Sequence, residues 1–512
     1  MTRAARLLFI ILALPCTAGA QARGGRVPNP LADLDAYVAQ AVRDWNAPGL
    51  QIAVVKDDSV VFARAYGVRT LGTTDSVTLH TLFANASTTK AFTAFAVALM
   101  VDSGKLRWDD PVSRWVPGFV LREPYATQEL TVRDLLTHRV GFGDPGYLWY
   151  GTTYDYDQIV RRLRFVEPAS SFRSHFAYNN VSYATAGVIA GRAAGASWDD
   201  VVRTRILRPL GMTETVTQGR DLAGRTDVAT PHDYVDDTLR VITGDAVALV
   251  DPIAPAGSMY SNVLDMAKWL RFLLDSGRVA GRRLVSEASF RELFRPQMIV
   301  EPGEFYPTAR LTHPRFTAYG LGWFLEDYRG EFVAFHTGSI DGTVAIVGMI
   351  PERRLGVVIF ANGDHVEVRH ALMYRVFDAV IGGARRDWSA ELRVMYDSLR
   401  EAGRARRRAV EQAHVALTNS TLPLDQYGGT YTDSLYGTVT VRLENGALVW
   451  EASPFLVADL EHWHYDVFRL RWRNRWLAPA LAAFQLGADG KVAAVEIDGA
   501  VRRKAVPPPA AH

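Results

Sequence analysis

The chain has 512 residues, a formal net charge of +2, 48% hydrophobic and 22% charged residues, which excludes a disordered chain, a collagen-like chain and a polytopic membrane protein. The near-neutral balance argues against a nucleic-acid binder, which carries a clear basic excess. The single cysteine, Cys16, excludes an internal disulfide framework and a cysteine-built zinc site.

Taken in chain order, residues 1–20 read as an export signal. Arg3 and Arg6 precede the apolar run Leu7–Leu14, and Ala18-Gly19-Ala20 offers a small-residue cleavage site. The expected mature protein is periplasmic or secreted, has no stable transmembrane segment and has lost Cys16. Residues 31–46 pattern as an amphipathic helix. Leu50–Val55 and Val60–Tyr66 pattern as a hairpin around Lys56-Asp57-Asp58-Ser59. A long apolar helix follows from Ser87 to about Ser103, stopped by Gly104. Residues 105–300 read as helices and loops, and strands return at Phe332–Phe335, Thr343–Met349 and Leu355–Asn362. Strands at both ends of a helical span predict one α/β (α+β) domain, in which the hairpin joins the late strands in a central antiparallel sheet. Residues 383–420 read as a helical connector whose basic run, Arg404-Ala405-Arg406-Arg407-Arg408, is a solvated helix face. From 421 to 507, short aromatic-rich strands and the turns Asn445-Gly446 and Asp489-Gly490 predict a small all-β barrel.

Only six of the 57 basic residues are lysines, so a lysine inside a chemical motif is informative. Ser87-Thr88-Thr89-Lys90 opens the long helix, and residues three apart share a helix face, so the Lys90 amine can reach the Ser87 hydroxyl. A serine hydroxyl is a weak nucleophile until a base takes its proton. Tyr178 and Asn180 follow in Tyr178-Asn179-Asn180, where Lys90 can supply the positive charge that a tyrosinate needs. His336-Thr337-Gly338-Ser339 reads as the end of a strand whose backbone could serve an oxyanion and an extended substrate, with His336 donating a hydrogen bond or shuttling a proton. The chain has no Gly-x-Ser-x-Gly elbow, His-Glu-x-x-His or phosphate-binding loop. His462 and His464 read as a barrel-surface pair.

Ser87-x-x-Lys90, Tyr178-x-Asn180 and His336-Thr337-Gly338, in this order, resemble the three motifs of penicillin-recognising serine hydrolases. The resemblance is to the class C β-lactamase-like branch, with its esterases, D-aminopeptidases and D-Ala-D-Ala carboxypeptidases. It extends over about residues 30–382 and includes Leu135-Leu136-Thr137-His138, Pro255-Ala256-Gly257 and Tyr319-Gly320-Leu321-Gly322-Trp323. The tail, with Tyr427-Gly428-Gly429, resembles the lipocalin-like β-domain that some members carry. The resemblance implies a β-lactamase/transpeptidase-like fold with flanking helices and a helical subdomain. It implies an acyl-enzyme on Ser87, with Lys90 and Tyr178 together as base and then acid. It further implies Asn180, His336, Thr337 and Gly338 as substrate-binding residues, and an oxyanion hole from the Ser87 and Ser339 N–H groups. No metal or organic cofactor is implied. The substrate is a small molecule or peptide, and homo-oligomerisation is left open. β-Lactamases of this type usually carry lysine at the position of His336, which points toward an ester or peptide bond ahead of a β-lactam. A non-catalytic penicillin-binding or sensor protein is the alternative from another class.

Overall fold

The computed structural model describes residues 29–242, 248–383 and 385–505. The signal-like segment 1–20, with Cys16, lies outside the described residues. Eight antiparallel strands build the central sheet: β1 (Gly49–Lys56), β2 (Ser59–Gly67), β3 (Met298–Ile299), β4 (Thr317–Tyr319), β5 (Phe324–Tyr328), β6 (Glu331–Ile340), β7 (Thr343–Ile350) and β8 (Leu355–Ala361). Their spatial order is β2-β1-β8-β7-β6-β5-β4-β3, so the N-terminal hairpin pairs with the late strands through β1 and β8. The longer helices are α1 (Leu34–Asp44), α2 (Thr89–Asp102), α3 (Asn180–Ala194), α4 (Val263–Leu274), α5 (Val368–Ile381) and α6 (Trp388–Gln412).

Strands β7 and β8 are buried along their whole length, which explains why they read as unbroken apolar runs instead of alternating ones. Leu270 of α4 seats against Gly356 and Met373 of α5 against Gly348, on opposite faces of the sheet. Strand β2 is the exposed edge. Helix α2 is buried on nearly all sides and packs against α3 in the helical subdomain. It ends where the Gly104 amide donates to the Val101 carbonyl at 2.9 Å.

The sheet differs from the sequence reading in two respects. The strand expected to stop at Phe335 runs on to Ile340, because His336, Thr337, Gly338 and Ser339 pair in register with Val347, Ile346, Ala345 and Val344. Ladder pairing with a fully buried neighbour outweighs the turn-like composition of Thr-Gly-Ser. The sheet also gains β3, β4 and β5, whose two to five residues are too short for a periodic pattern.

The C-terminal strands close into an antiparallel barrel: β9 (Gly429–Asp433), β10 (Gly437–Glu444), β11 (Ala447–Glu451), β12 (Val457–His464), β13 (Val467–Trp472), β14 (Ala480–Leu486), β15 (Val492–Ile497) and β16 (Ala500–Lys504). Tyr427, Tyr431, Trp450, Phe468, Leu470 and Phe484 fill its interior and are all buried, so these aromatics form a packed core. His462 and His464 flank an irregularity in β12. His462 Nε2 meets the Tyr465 carbonyl at 2.9 Å, and His464 Nδ1 accepts from the Val415 amide at 3.2 Å.

Candidate active site

Ser87 lies in a single turn of tight helix, Ala86–Thr88, that leads directly into α2. The N-cap positions of this turn and of α2 fall on Asn85 and Thr88, and within the otherwise buried run 81–90 Ser87 alone keeps partial exposure. Ala86, the residue before it, is held at φ 45° and 3% exposed. A left-handed alanine costs about 1 kcal/mol or more, and the packing around it sustains that strain beside the hydroxyl.

Lys90 is fully buried one turn into the helix. Its Nζ lies 3.0 Å from Ser87 Oγ, 2.7 Å from Asn180 Oδ1 and 2.8 Å from the Ala256 carbonyl. Asn180 Nδ2 donates to Asp144 at 3.0 Å, which fixes the amide so that its oxygen faces Lys90. Asn180 Oδ1 and the Ala256 carbonyl can only accept. A neutral Lys90 amine therefore spends its two N–H groups on them and turns its lone pair toward the Ser87 hydroxyl. Burial pushes the Lys90 amine down to about 7, with the Asp144 carboxylate opposing the shift.

Tyr178 and Asn180 are separated by the residue that caps α3. Asn179 Oδ1 accepts from the Ser182 amide at 2.9 Å and caps the helix. The Asn179 amide donates to His138 Nδ1 at 3.0 Å. The Lys90 ammonium position lies 4.7 Å from the centre of the Tyr178 ring and 5.4 Å from that of Tyr183. Burial raises the Tyr178 hydroxyl well above the ordinary tyrosine range, and the neighbouring Ser87 hydroxyl offsets only part of this. The arrangement thus favours a protonated Tyr178 beside a Lys90 able to lose its proton near neutrality.

The third motif arrives on β6. A Cβ on Gly338 would stand 2.2 Å from the Asn85 carbonyl and 3.0 Å from the Ser87 amide nitrogen, so only glycine allows the strand to touch the turn that carries Ser87. Strand β5 pairs with β6 only as far as Phe335, leaving the stretch from His336 to Ile340 without β5 on that side. Thr337 Oγ1 meets the Tyr306 hydroxyl at 2.5 Å. The buried Arg369 bonds the Gly338 and Ala345 carbonyls and is paired with Glu367 at 3.0 Å, which fixes the strand from behind.

His336 is 1% exposed. Its Nδ1 lies 2.6 Å from the Thr337 carbonyl and must carry the proton, which leaves Nε2 to accept from the Tyr319 hydroxyl at 2.9 Å. Both ring nitrogens are thus occupied by the protein. Burial, with the Lys90 charge adding to it, pushes His336 down to about 3. His138 is also held neutral by burial and lies 4.3 Å from the Tyr178 ring centre to centre.

Ser87, Lys90, Tyr178, Asn180 and the Gly338 backbone therefore converge, and His336 stands behind them with Tyr319. Sequence reasoning missed Asp144, which lies in a Gly/Pro-rich loop without a motif. It also assigned no part to Tyr306, Tyr319, Glu367 or Arg369. Among the described residues no group of three or more His, Cys, Asp or Glu side chains is arranged to hold a metal ion.

Several known proteins are similar to this chain. A relative named unguisins hydrolase, from Aspergillus violaceofuscus, is 29% identical over 450 residues, covering 80% of this chain and 76% of its own length. Its namesake from Aspergillus campestris is 28% identical over 428 residues, covering 80% and 77%. Protein flp of Staphylococcus aureus is 23% identical over 64% of this chain and 62% of its own. An octameric penicillin-binding protein homologue from Pyrococcus abyssi shares the fold, with a TM-score of 0.59, 22% identity, and 93% of this chain and all of that one covered. The structure of SurE superposes with a TM-score of 0.56 at 21% identity, over 93% of this chain and 99% of that one. Residues 413–506 match a domain of unknown function, DUF3471. Residues 34–380 match the family described as Beta-lactamase, and the chain belongs to that family of serine hydrolases.

Proposed function

We propose that this protein is an exported serine hydrolase that cleaves an ester or peptide bond through an acyl-enzyme on Ser87. The observation that carries the reading is the Lys90 amine, 3.0 Å from Ser87 Oγ with its other two partners obligate acceptors. Neutral Lys90 takes the Ser87 proton as Oγ attacks the carbonyl carbon. The negative charge that develops on the carbonyl oxygen is met by the Ser87 and Ser339 N–H groups. As the carbon–leaving group bond breaks, the proton passes from Lys90 to the leaving atom, relayed by the Tyr178 hydroxyl beside Ser87. Water then gives up a proton to the Lys90–Tyr178 pair and attacks the acyl carbon, and the pair returns that proton to Ser87 Oγ as the acyl–oxygen bond breaks and the acid leaves. Asn180 orients Lys90 through Oδ1, and the substrate lies along β6 at Thr337 and Gly338.

The state of His336 supports an ester or peptide bond over a β-lactam. A neutral ring with both nitrogens engaged gives β6 no fixed cation for a β-lactam carboxylate. The hydrolase names of the two Aspergillus relatives agree with a hydrolytic role. Export rests on the signal read at residues 1–20, and among the described residues no helix is long and apolar enough to cross a membrane. Turnover of a p-nitrophenyl ester, a D-Ala-D-Ala peptide and a chromogenic cephalosporin, side by side with Ser87→Ala, tests the proposal. Hydrolysis of the ester or peptide that vanishes in the variant is expected. Equal turnover by the variant would end the reading.

A further inference from the structure

The barrel meets the catalytic domain largely through one segment, residues 147–154. Ser453 Oγ donates to the Gly151 carbonyl at 2.5 Å. Gly151 has φ 64°, and a Cβ there would lie 2.4 Å from the Phe455 ring, so that ring seats on bare backbone. Phe455 also meets the Tyr150 ring edge-on at 5.9 Å. The Tyr154 hydroxyl donates to the Tyr436 carbonyl at 3.3 Å, and the Tyr147 hydroxyl to Asp498 at 2.7 Å.

The same segment continues into the catalytic centre. Trp149 packs edge-on against Tyr150 at 5.9 Å, and its Nε1 donates to Asp144 at 2.9 Å. Asp144 accepts from the Asn180 amide at 2.8 Å and from Asn180 Nδ2 at 3.0 Å. Asn180 in turn holds Lys90. Tyr150 also donates to Asp341 at the end of β6. A continuous path of contacts thus runs from the barrel through Tyr150, Trp149, Asp144 and Asn180 to the Lys90 amine. Between Phe142 and Tyr156 the segment has one short helical turn of its own, Gly146–Leu148, so its order depends on what it packs against.

We propose that the C-terminal barrel positions the catalytic centre: by clamping residues 147–154 it keeps Asp144 on Asn180, and so sets the Lys90 amine against Ser87. The inference rests on the assignment of Ser87 and Lys90 above. It gives the barrel a role in catalysis without any barrel side chain touching the substrate.

A role of this kind has its own signature. The groups facing Lys90 are Asp144, Tyr178, Tyr183, His138 and His336. Burial keeps the two tyrosines protonated and the two imidazoles neutral, so Asp144 supplies the charge that holds the Lys90 proton on. Releasing the clamp should therefore slow the reaction and also move its acidic limb to lower pH. Simple loss of folded protein would lower the rate without moving the limb.

The test uses the full chain and the rate at which a fluorophosphonate probe labels Ser87, followed against pH, with a thermal melt of each variant. Ser453→Ala/Phe455→Ala should label at least about tenfold more slowly, with its acidic limb displaced downward in the same direction as that of Asp144→Asn. Should the double variant fail to fold, Ser453→Ala alone should show the same displacement with a fall of about threefold. Arg475→Ala breaks a different contact between the domains, to Asp236 at 3.1 Å, and should leave rate and limb unchanged. A folded clamp variant with the wild-type rate, or a slower one with an unmoved limb, would overturn the role of the barrel. A wild-type protein that the probe does not label at Ser87 would overturn the underlying assignment as well.

Discussion

Replacing Lys90 by methionine should abolish turnover and remove a rise of stability with pH that the buried amine imparts. Burial holds this amine near 7 against 10.5 for an ordinary lysine. Each pH unit of difference is worth about 1.4 kcal/mol, so at pH 7 the buried amine costs the folded state about 4 kcal/mol relative to the unfolded chain. Methionine fills a similar volume without that penalty. It leaves Asn180 Oδ1 and the Ala256 carbonyl without their donor, at about 1–3 kcal/mol for each, or about 4 kcal/mol together. The two contributions nearly cancel, so the variant should match the wild type in stability at pH 7.

Above pH 7 the folded wild type has lost a proton that the unfolded chain keeps up to about pH 10.5. Wild-type stability therefore rises through that window, while the variant lacks this contribution. Relative to the wild type, the variant should lose about 3 kcal/mol of stability between about pH 7 and pH 9.5. Urea unfolding of both proteins at the two pH values measures this. A stability difference that does not change with pH would refute the buried, deprotonating lysine and the base assignment with it.

Three further outcomes follow from the same geometry. In wild type, kcat/KM for a p-nitrophenyl ester should rise with pH through a limb near 7, where Lys90 loses its proton; a rate that is flat between about pH 5 and 9 contradicts it. Gly338→Ala places a methyl group 2.2 Å from the Asn85 carbonyl, so the strand must retreat from Ser87. The expected loss is about 100-fold in kcat/KM with the thermal melt little changed. His336→Gln keeps an acceptor within reach of the Tyr319 hydroxyl; since neither His336 nitrogen faces the cleft, KM should stay within about threefold of wild type, whereas a group that binds substrate directly would raise it tenfold or more.

Much of this site was legible in the sequence because its chemistry is local. Ser87 and Lys90 are one helical turn apart, so spacing suggested that they could meet; that Tyr178 and Asn180 join them was implied by the resemblance to penicillin-recognising serine hydrolases. The state of those groups was not legible. The charge expected to favour a tyrosinate belongs to a lysine that burial itself depletes of protons, and the same burial keeps Tyr178 protonated. His336 read as the end of a strand because Thr-Gly-Ser resembles a turn, yet pairing with β7 carries the strand to Ile340 and buries the ring. Asp144 left no trace, since a lone acid in a loop becomes informative only when α3 brings Asn180 to it. In the barrel, most strands announced themselves by alternation and Asn-Gly or Asp-Gly turns. Strand Ala500–Lys504, with Arg502 buried and Arg503 exposed, did not, because a buried arginine hides the apolar face.

The central claim is that Ser87 carries the acyl group during turnover. Rapid-quench mass spectrometry of the enzyme mixed with a p-nitrophenyl ester tests it directly. The account predicts a transient gain of one acyl mass, located on the peptide containing Ser87, formed and lost at rates consistent with turnover and absent from Ser87→Ala. Turnover with no adduct on Ser87, or with the adduct on another residue, would contradict it.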